Sequence, residues 1–148
     1  MTNVALPDLL AVERFGAKIA EKLKSGDVVS LSGELGAGKT TLARAIIAAL
    51  GYDHEVPSPT FTIIETYDAP PLRIPVVHAD FYRLESPDEL QELGLEDYRD
   101  GAALIAEWPQ HAGGFDHEAA CLSITLKSAD EGRAAIVESG PDWLERWP

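Results

Sequence analysis

The chain has 148 residues, with Lys and Arg totalling 12 against 25 Asp and Glu, so its net charge is -13 and its isoelectric point lies near 4.5. One domain of ordinary hydrophobic content is expected, and a surface this acidic is not expected to bind the phosphate backbone of a nucleic acid by itself. The single cysteine, Cys121, excludes an internal disulfide, and its apolar neighbours indicate a strand residue rather than a nucleophile. No apolar run of about 18 residues and no secretory signal are visible, so we expect a cytoplasmic protein without membrane contact.

The chain begins with a predicted helix and a predicted strand. Apolar residues at helical spacing predict a helix over Asp8–Lys24, which Gly26 ends. A short buried strand is predicted at Asp27–Ser32, and a second helix over Thr41–Leu50 is closed by Gly51. The strand and the second helix flank a glycine-rich segment.

That segment, residues 33–41, reads Gly-Glu-Leu-Gly-Ala-Gly-Lys-Thr-Thr and matches the phosphate-binding pattern G-x-x-x-x-G-K-[ST]. Such a turn aims backbone N–H groups at one point, and the following helix N-terminus adds a partial positive charge there. In this pattern Lys39 reaches the β- and γ-phosphates, and the hydroxyl of Thr40 binds Mg²⁺. Because the flanking strand and helix are the context that the pattern requires, we predict nucleotide binding rather than an ordinary helix cap.

The second half of the chain predicts mostly strands. The capping signature of Ser86, Pro87 and Glu89 indicates a short helix. Gly94 ends that helix, and a last short helix is predicted at Pro141–Trp147. The predicted strands are Phe61–Tyr67, Ile74–Ala79, Ala102–Ala106 and a hairpin of Ala119–Lys127 with Arg133–Val137. This order predicts one α/β domain over residues 1–148, a three-layer fold like that of P-loop NTPases, with a mainly parallel sheet plus antiparallel strands.

Two carboxylates directly follow predicted strands. Asp80 comes after the strand that ends at Ala79, and Glu107 after the strand that ends at Ala106. Ligands of such sheets bind at the carboxyl ends of the parallel strands, so both side chains are predicted to reach the phosphate site. His78, two residues before Asp80, can orient that carboxylate by a hydrogen bond or can be a buried core histidine, and the sequence leaves both open.

Four linked motifs of this chain resemble the TsaE family, also called YjeE. They are the glycine-rich segment, Ser-Pro-Thr-Phe at 58–61, His-Ala-Asp-Phe-Tyr-Arg-Leu at 78–84, and Glu-Trp at 107–108. The similarity extends from about Phe15 to Arg133. It implies a small bacterial ATPase that supports formation of N6-threonylcarbamoyladenosine next to the anticodon of certain tRNAs. Such proteins act by binding the TsaD–TsaB pair, so contact with tRNA is expected only through that complex.

The resemblance also implies the cofactors, ATP and Mg²⁺, and a role for each site residue. Thr40 and Glu107 would hold Mg²⁺, Asp80 takes the place of the acidic Walker B residue, and Trp108 lies beside the site. The segment 58–61 resembles a switch that senses the γ-phosphate through Thr60. The expected catalytic residues are Lys39, Thr60, Asp80 and Glu107. The expected nucleotide contacts are Gly33, Glu34, Leu35, Gly36, Ala37, Gly38, Lys39, Thr40, Thr41, Gln110 and Gly132.

Two other functions share the phosphate-binding segment. A small-molecule kinase has the same loop and size, but it closes several arginines over the phosphates, and the arginines of this chain are scattered. A non-catalytic nucleotide-binding module does not require Asp80 and Glu107. We therefore expect slow ATP hydrolysis by the isolated protein and faster hydrolysis with TsaD–TsaB.

Overall fold

The computed structural model of the protein describes residues 2–34, 36–52, 64–130 and 132–147. Within these ranges the strands are β1 (Thr2–Leu6), β2 (Val28–Gly33), β3 (Ile64–Tyr67), β4 (Val76–Asp80), β5 (Ala103–Glu107), β6 (Cys121–Ser128) and β7 (Arg133–Ser139). The α-helices are α1 (Leu9–Lys22), α2 (Lys39–Ala49), α3 (Glu89–Leu93) and α4 (Leu95–Arg99), and two 3₁₀ helices span Pro109–Ala112 and Pro141–Trp143.

The strands form one mixed sheet in the order β1-β7-β6-β2-β5-β4-β3. The four central strands, β6, β2, β5 and β4, are mutually parallel, whereas β1, β7 and β3 pair antiparallel at the two flanks. Strands β4 and β5 are almost wholly buried, which is typical of parallel strands covered by helices on both faces. The predicted combination of parallel and antiparallel strands is confirmed.

Each face of the sheet is covered by a different set of helices. On one face α1 and α2 pack against the sheet through fully buried residues such as Ile19, Leu42 and Ile46. On the other face α3, α4 and the 3₁₀ helix at 109–112 cover a second apolar cluster that includes Phe81 and Leu95. The predicted three-layer arrangement is therefore confirmed.

Most predicted elements are present with shifted ends. The first helix begins one residue later than predicted because Asp8 is its N-cap and accepts a 2.9 Å hydrogen bond from the backbone N–H of Ala11. The prediction of Ser86 as a helix cap is wrong, since α3 begins at Glu89 and the Ser86 hydroxyl accepts from the N–H of Asp88 within the preceding turn. The last predicted helix is only the short 3₁₀ turn at Pro141–Trp143.

Two elements were not predicted. Strand β1 is only five residues long, and it forms because it pairs in register with β7, with Leu6 opposite Arg133. Helix α4 follows α3 after the single residue Gly94. Some predicted features lie outside the described residues: Leu35 of the phosphate-binding segment, the segment 58–61 with Thr60, and residues 61–63 of the predicted strand that continues into β3.

Candidate nucleotide site

The glycine-rich segment lies between the end of β2 and the start of α2, at the carboxyl edge of the parallel strands. Gly33 has a φ of +141°, and a Cβ atom there would lie 2.6 Å from the backbone oxygen of Leu126 in β6. Gly38, the N-cap of α2, has a φ of +103° and is left-handed. Both positions of the motif therefore require glycine for backbone reasons, and the turn places the N-terminus of an 11-residue helix at the site.

Lys39 is folded over this turn. Its ammonium group donates hydrogen bonds of 2.8 Å to the backbone oxygens of Gly33 and Glu34. It also lies 4.3 Å from the ring centre of Trp108, and the residue is only 5% exposed. Burial lowers the pKa of Lys39, and the nearby carboxylates of Glu107 and Asp80 oppose that change. The lysine is thus held beside the loop in a partly desolvated, negatively charged environment.

Thr40 and Glu107 are joined directly. The Thr40 hydroxyl donates a 2.7 Å hydrogen bond to Oε1 of Glu107, and the other carboxylate oxygen, Oε2, accepts a 2.6 Å hydrogen bond from Nε2 of His78. Glu107 is 2% exposed and His78 is fully buried. The carboxylate is therefore engaged on both oxygens, by the helix on one side and by the neighbouring strand on the other.

Asp80 stands beside Glu107, because the parallel register of β4 and β5 pairs the two residues. Its Oδ1 accepts a 3.0 Å hydrogen bond from the N–H of Tyr82. Burial raises the pKa of Asp80, the hydrogen bond from Tyr82 lowers it, and the charge of Glu107 raises it further. Asp80 is one strand farther from the loop strand β2 than Glu107 is.

His78 makes a contact different from the one considered in the sequence. Of the two alternatives, orientation of Asp80 or burial in the core, the structure has the histidine fully buried with its hydrogen bond directed to Glu107. Its other ring nitrogen, Nδ1, has no hydrogen-bond partner among the described residues. The spacing within β4 could not reveal this contact, since the partner belongs to the neighbouring strand.

Three rings form an aromatic group beside the lysine. Trp108 lies 5.0 Å from Tyr82 and 5.4 Å from His111, measured between ring centres. Trp108 has a φ of +56°, a left-handed conformation that is uncommon for a residue with a large side chain. The turn brings the indole over Lys39, a contact more specific than the position beside the site that the resemblance implied. Nδ1 of His111 donates to the backbone oxygens of Phe81 and Tyr82 at 3.1 and 3.0 Å.

The opposite side of the loop is held by the start of β7. Arg133 donates from Nε to the oxygen of Ala37 at 3.1 Å and from Nη2 to the oxygen of Gly36 at 3.2 Å. Gly132 has a φ of +69°, and a Cβ atom there would lie 2.5 Å from the oxygen of Pro7. The contact of Arg133 with the loop was not predicted, because no local pattern links a strand residue to a loop 96 positions away.

The structure separates two of the predicted nucleotide contacts. Gly132 borders a cavity of about 320 Å³ that is also lined by residues 6–9, 36–38 and Thr41. Gln110 belongs to the 3₁₀ helix after Trp108 and lines a different cavity of about 380 Å³, with Ser30 and Ser32. The two residues therefore line different cavities, and of the two only the cavity of Gly132 is also lined by described residues of the phosphate-binding segment.

The oxygen atoms at this site suit a magnesium ion. Mg²⁺ prefers oxygen ligands and is commonly held by one or two carboxylates, with phosphate oxygens and waters completing the shell. Thr40 and Glu107 present such oxygens beside the phosphate-binding segment, and Asp80 adds a third nearby side chain. No group of three His, Cys, Asp or Glu side chains suited to a metal occurs in the ranges that the structure describes. Any Mg²⁺ here would thus need further ligands, as nucleotide phosphates can supply.

The family model for the threonylcarbamoyl adenosine biosynthesis protein TsaE matches residues 6–135. The chain belongs to the TsaE family. The TsaE of Haemophilus influenzae is 38% identical over 135 residues, covering 86% of this chain and 83% of that protein. The TsaE of a Nostoc species is 36% identical over 137 residues, covering 89% and 82%. Both carry the name tRNA threonylcarbamoyladenosine biosynthesis protein, so the resemblance inferred from the motifs is confirmed.

A solved structure extends the comparison to the fold. The crystal structure of YdiB from Bacillus subtilis superposes with a TM-score of 0.74 at 27% sequence identity, and the match covers 98% of this chain and 88% of YdiB. The α/β architecture of this TsaE family member is thus shared over nearly its whole length. Among its described residues, no helix is long and apolar enough to cross a membrane.

Proposed function

We propose that this chain is a Mg²⁺-dependent ATPase that serves tRNA threonylcarbamoyladenosine biosynthesis. The observation that carries the proposal is the contact of Thr40 with Glu107, 2.7 Å, directly after Lys39 at the N-terminus of α2. A lysine, a hydroxyl and a carboxylate at the end of a phosphate-binding turn are the groups used to bind a nucleoside triphosphate with its metal. The names of the relatives support the pathway.

Each residue has a separate task in this proposal. The backbone N–H groups of the turn and the start of α2 bind the phosphates, and Lys39 exchanges its two carbonyl acceptors for phosphate oxygens. Thr40 and Glu107 would hold Mg²⁺, and the bound ion would supply positive charge to neutralise the phosphates. Asp80 positions the attacking water and accepts its proton, a task that its raised pKa favours.

The same proposal includes the partners and the cellular location. We infer that the chain binds TsaD and TsaB, that its contact with tRNA is indirect, and that it acts in the cytoplasm. The net charge of -13 supports indirect contact, because such a surface repels a phosphate backbone. Thr60, in the segment 58–61, is the residue that we expect to couple the γ-phosphate to the partners, since a switch segment needs a phosphate-sensing hydroxyl.

The test is ATP hydrolysis by the purified protein with and without Mg²⁺ and the TsaD–TsaB pair. We expect slow release of phosphate that requires Mg²⁺ and that the pair accelerates. Lys39→Met and Glu107→Gln should each reduce release by roughly 10²–10³-fold, the range seen when one electrostatic group of a transition state is removed. Lys24→Met and Glu21→Gln, exposed changes away from the loop, are the matched controls.

Two results would overturn the proposal. Phosphate release that is equally fast in the Lys39→Met and Lys24→Met proteins would show that the loop lysine has no part in turnover. Transfer of the γ-phosphate to a small metabolite, in place of release to water, would show a kinase. Thr60→Ala should lose the acceleration by TsaD–TsaB with little change in thermal stability, and full acceleration in that variant would remove Thr60 from the proposal.

A further inference from the structure

His78 presents a buried donor to the carboxylate of Glu107. Nε2 and Oε2 are 2.6 Å apart, His78 is fully buried and Glu107 is 2% exposed. A carboxylate accepts hydrogen bonds only, so the histidine proton in this contact is on Nε2. Water has little access to this carboxylate oxygen, and no other donor to Oε2 is present among the described residues.

The position of that carboxylate is otherwise weakly determined. The terminal torsion of a glutamate has a broad, two-fold profile, so the backbone of β5 does not by itself fix the orientation of the two oxygens. The Thr40 hydroxyl holds Oε1, but it lies on the loop side and is itself an expected ligand of Mg²⁺. His78 holds the second oxygen from β4, a strand that pairs with β5 in fixed register, with His78 opposite Ile105.

We propose that His78 is a positioning residue, which orients Glu107 so that Oε1 faces Thr40 and the metal position. This inference rests on the proposed function, since it assigns His78 a task in the Mg²⁺ site of the nucleotide. Outer groups that hydrogen-bond to a metal ligand set its orientation, and their loss commonly lowers metal affinity by about 10- to 100-fold. A histidine kept only to fill the core is replaceable by an apolar ring, because burying an imidazole with a free Nδ1 is unfavourable.

Three variants separate positioning from packing. His78→Phe keeps a ring and removes the donor. His78→Gln retains an N–H group that can reach the same oxygen. Val76 lies two residues before His78, on the same face of β4, and is 1% exposed. Val76→Ala therefore creates a cavity in the core and lowers stability without changing the contacts of Glu107. Thermal unfolding of all three proteins measures how much stability each change removes.

The first measurement is the Mg²⁺ dependence of the binding of a fluorescent, non-hydrolysable ATP analogue to each folded protein. We expect the Mg²⁺ concentration at half-saturation to rise by about 10- to 100-fold in His78→Phe, and to remain near the wild-type value in His78→Gln and Val76→Ala. An unchanged value in His78→Phe, or an equal rise in Val76→Ala, would overturn the inference while leaving the ATPase proposal intact. If binding of the analogue to the wild-type protein did not depend on Mg²⁺, both the inference about His78 and the proposal of a Mg²⁺-dependent ATPase would be overturned.

The second measurement needs neither metal nor nucleotide. In a ¹⁵N-edited NMR spectrum of the wild-type histidine side chains, we expect the proton of His78 on Nε2. The chemical shift of that group should change in the Glu107→Gln variant. A proton on Nδ1 with a bare Nε2 would overturn the inference, because a bare nitrogen cannot donate to a carboxylate. This spectrum tests the contact on which the inference depends even if His78→Phe fails to fold.

Discussion

Asp80 and Glu107 are register partners at the carboxyl ends of the adjacent parallel strands β4 and β5. The pairing places two acidic side chains side by side, and only Glu107 also contacts Thr40 of α2. The two carboxylates are therefore unequal. Glu107 is engaged by donors on both oxygens, whereas Asp80 is held by the N–H of Tyr82 and has a raised pKa.

The raised pKa of Asp80 predicts a pH-dependent stability. A carboxyl group whose pKa is higher in the folded state than its ordinary value of 3.8 binds its proton more tightly when the protein is folded. Its favourable contribution is complete below pH 3.8 and is lost as the pH rises through the folded-state pKa. Without nucleotide, Asp80→Asn should therefore be more stable than wild type at pH 7, and this gain should shrink as the pH falls towards 4. The amide oxygen can still accept from Tyr82.

Thermal unfolding of both proteins between pH 4 and pH 8 checks this prediction. Asp116→Asn, a change at an exposed aspartate, is the control for altered net charge. A gain in Asp80→Asn that is the same at every pH, or a loss of stability at pH 7, would contradict the assignment of burial as the main cause of the shift.

Arg133 is predicted to pre-form the phosphate-binding turn. Its guanidinium donates to the oxygens of Gly36 and Ala37, so it holds those carbonyls away from the side where we expect the N–H groups to bind phosphate. Arg133→Gln should weaken ATP binding by about tenfold, close to 1.4 kcal/mol, and should change turnover at saturating ATP much less. Equilibrium binding of an ATP analogue measures the first quantity and steady-state hydrolysis the second. Arg14→Gln, an exposed change on α1, should have neither effect.

The pair of Asp27 and Arg146 is predicted to contribute to folding stability. Arg146 donates to both carboxylate oxygens of Asp27, at 2.7 and 2.9 Å, and Asp27 is 4% exposed. Arg146→Met leaves a buried carboxylate with the N–H of Lys24 as its remaining donor, so unfolding in urea should show a loss of about 3 kcal/mol. Asp27→Asn combined with Arg146→Met should lose less than the two single losses added together.

An exposed ion pair serves as the comparison for the variants of Asp27 and Arg146. Arg99 and Glu96 are 3.5 Å apart and Glu96 is 86% exposed, so Glu96→Gln should change stability by about 0–1 kcal/mol. If Arg146→Met were no more harmful than this surface change, burial of Asp27 would not be the source of the stability.

Cys121 is predicted to be unreactive in the folded protein. Burial raises the pKa of its thiol, although hydrogen bonds with the hydroxyls of Ser30 and Ser123 oppose the shift. The thiolate is the reactive form, so a disulfide reagent at neutral pH should modify Cys121 only as fast as the protein unfolds. Addition of denaturant should accelerate the modification of Cys121, measured as the absorbance of the leaving thiol. Rapid modification without denaturant would contradict the assignment of Cys121 to the core.

Local patterns in the sequence were sufficient to predict the phosphate-binding unit and the positions of the two acidic residues. The glycines of residues 33–41 encode a turn by their backbone freedom, and apolar periodicity encodes the flanking strand and α2, so the phosphate-binding unit follows from neighbouring residues alone. The positions of Asp80 and Glu107 after apolar runs likewise predicted that both would lie at one edge of the sheet. Weakly patterned elements, such as β1 and α4, escaped prediction because they depend on partners rather than on their own periodicity.

The tertiary structure decided which of these side chains meet. Strand β5, and not β4, lies next to β2, so Glu107 rather than Asp80 contacts Thr40. The register between β4 and β5 directs His78 to Glu107, and the pairing at the start of β7 brings Arg133 to the loop. Strand order and register follow from packing between residues far apart in the chain, and one sequence carries no local signal for them. The motif by itself thus predicted the class of chemistry, while the fold determined which side chains meet at the site.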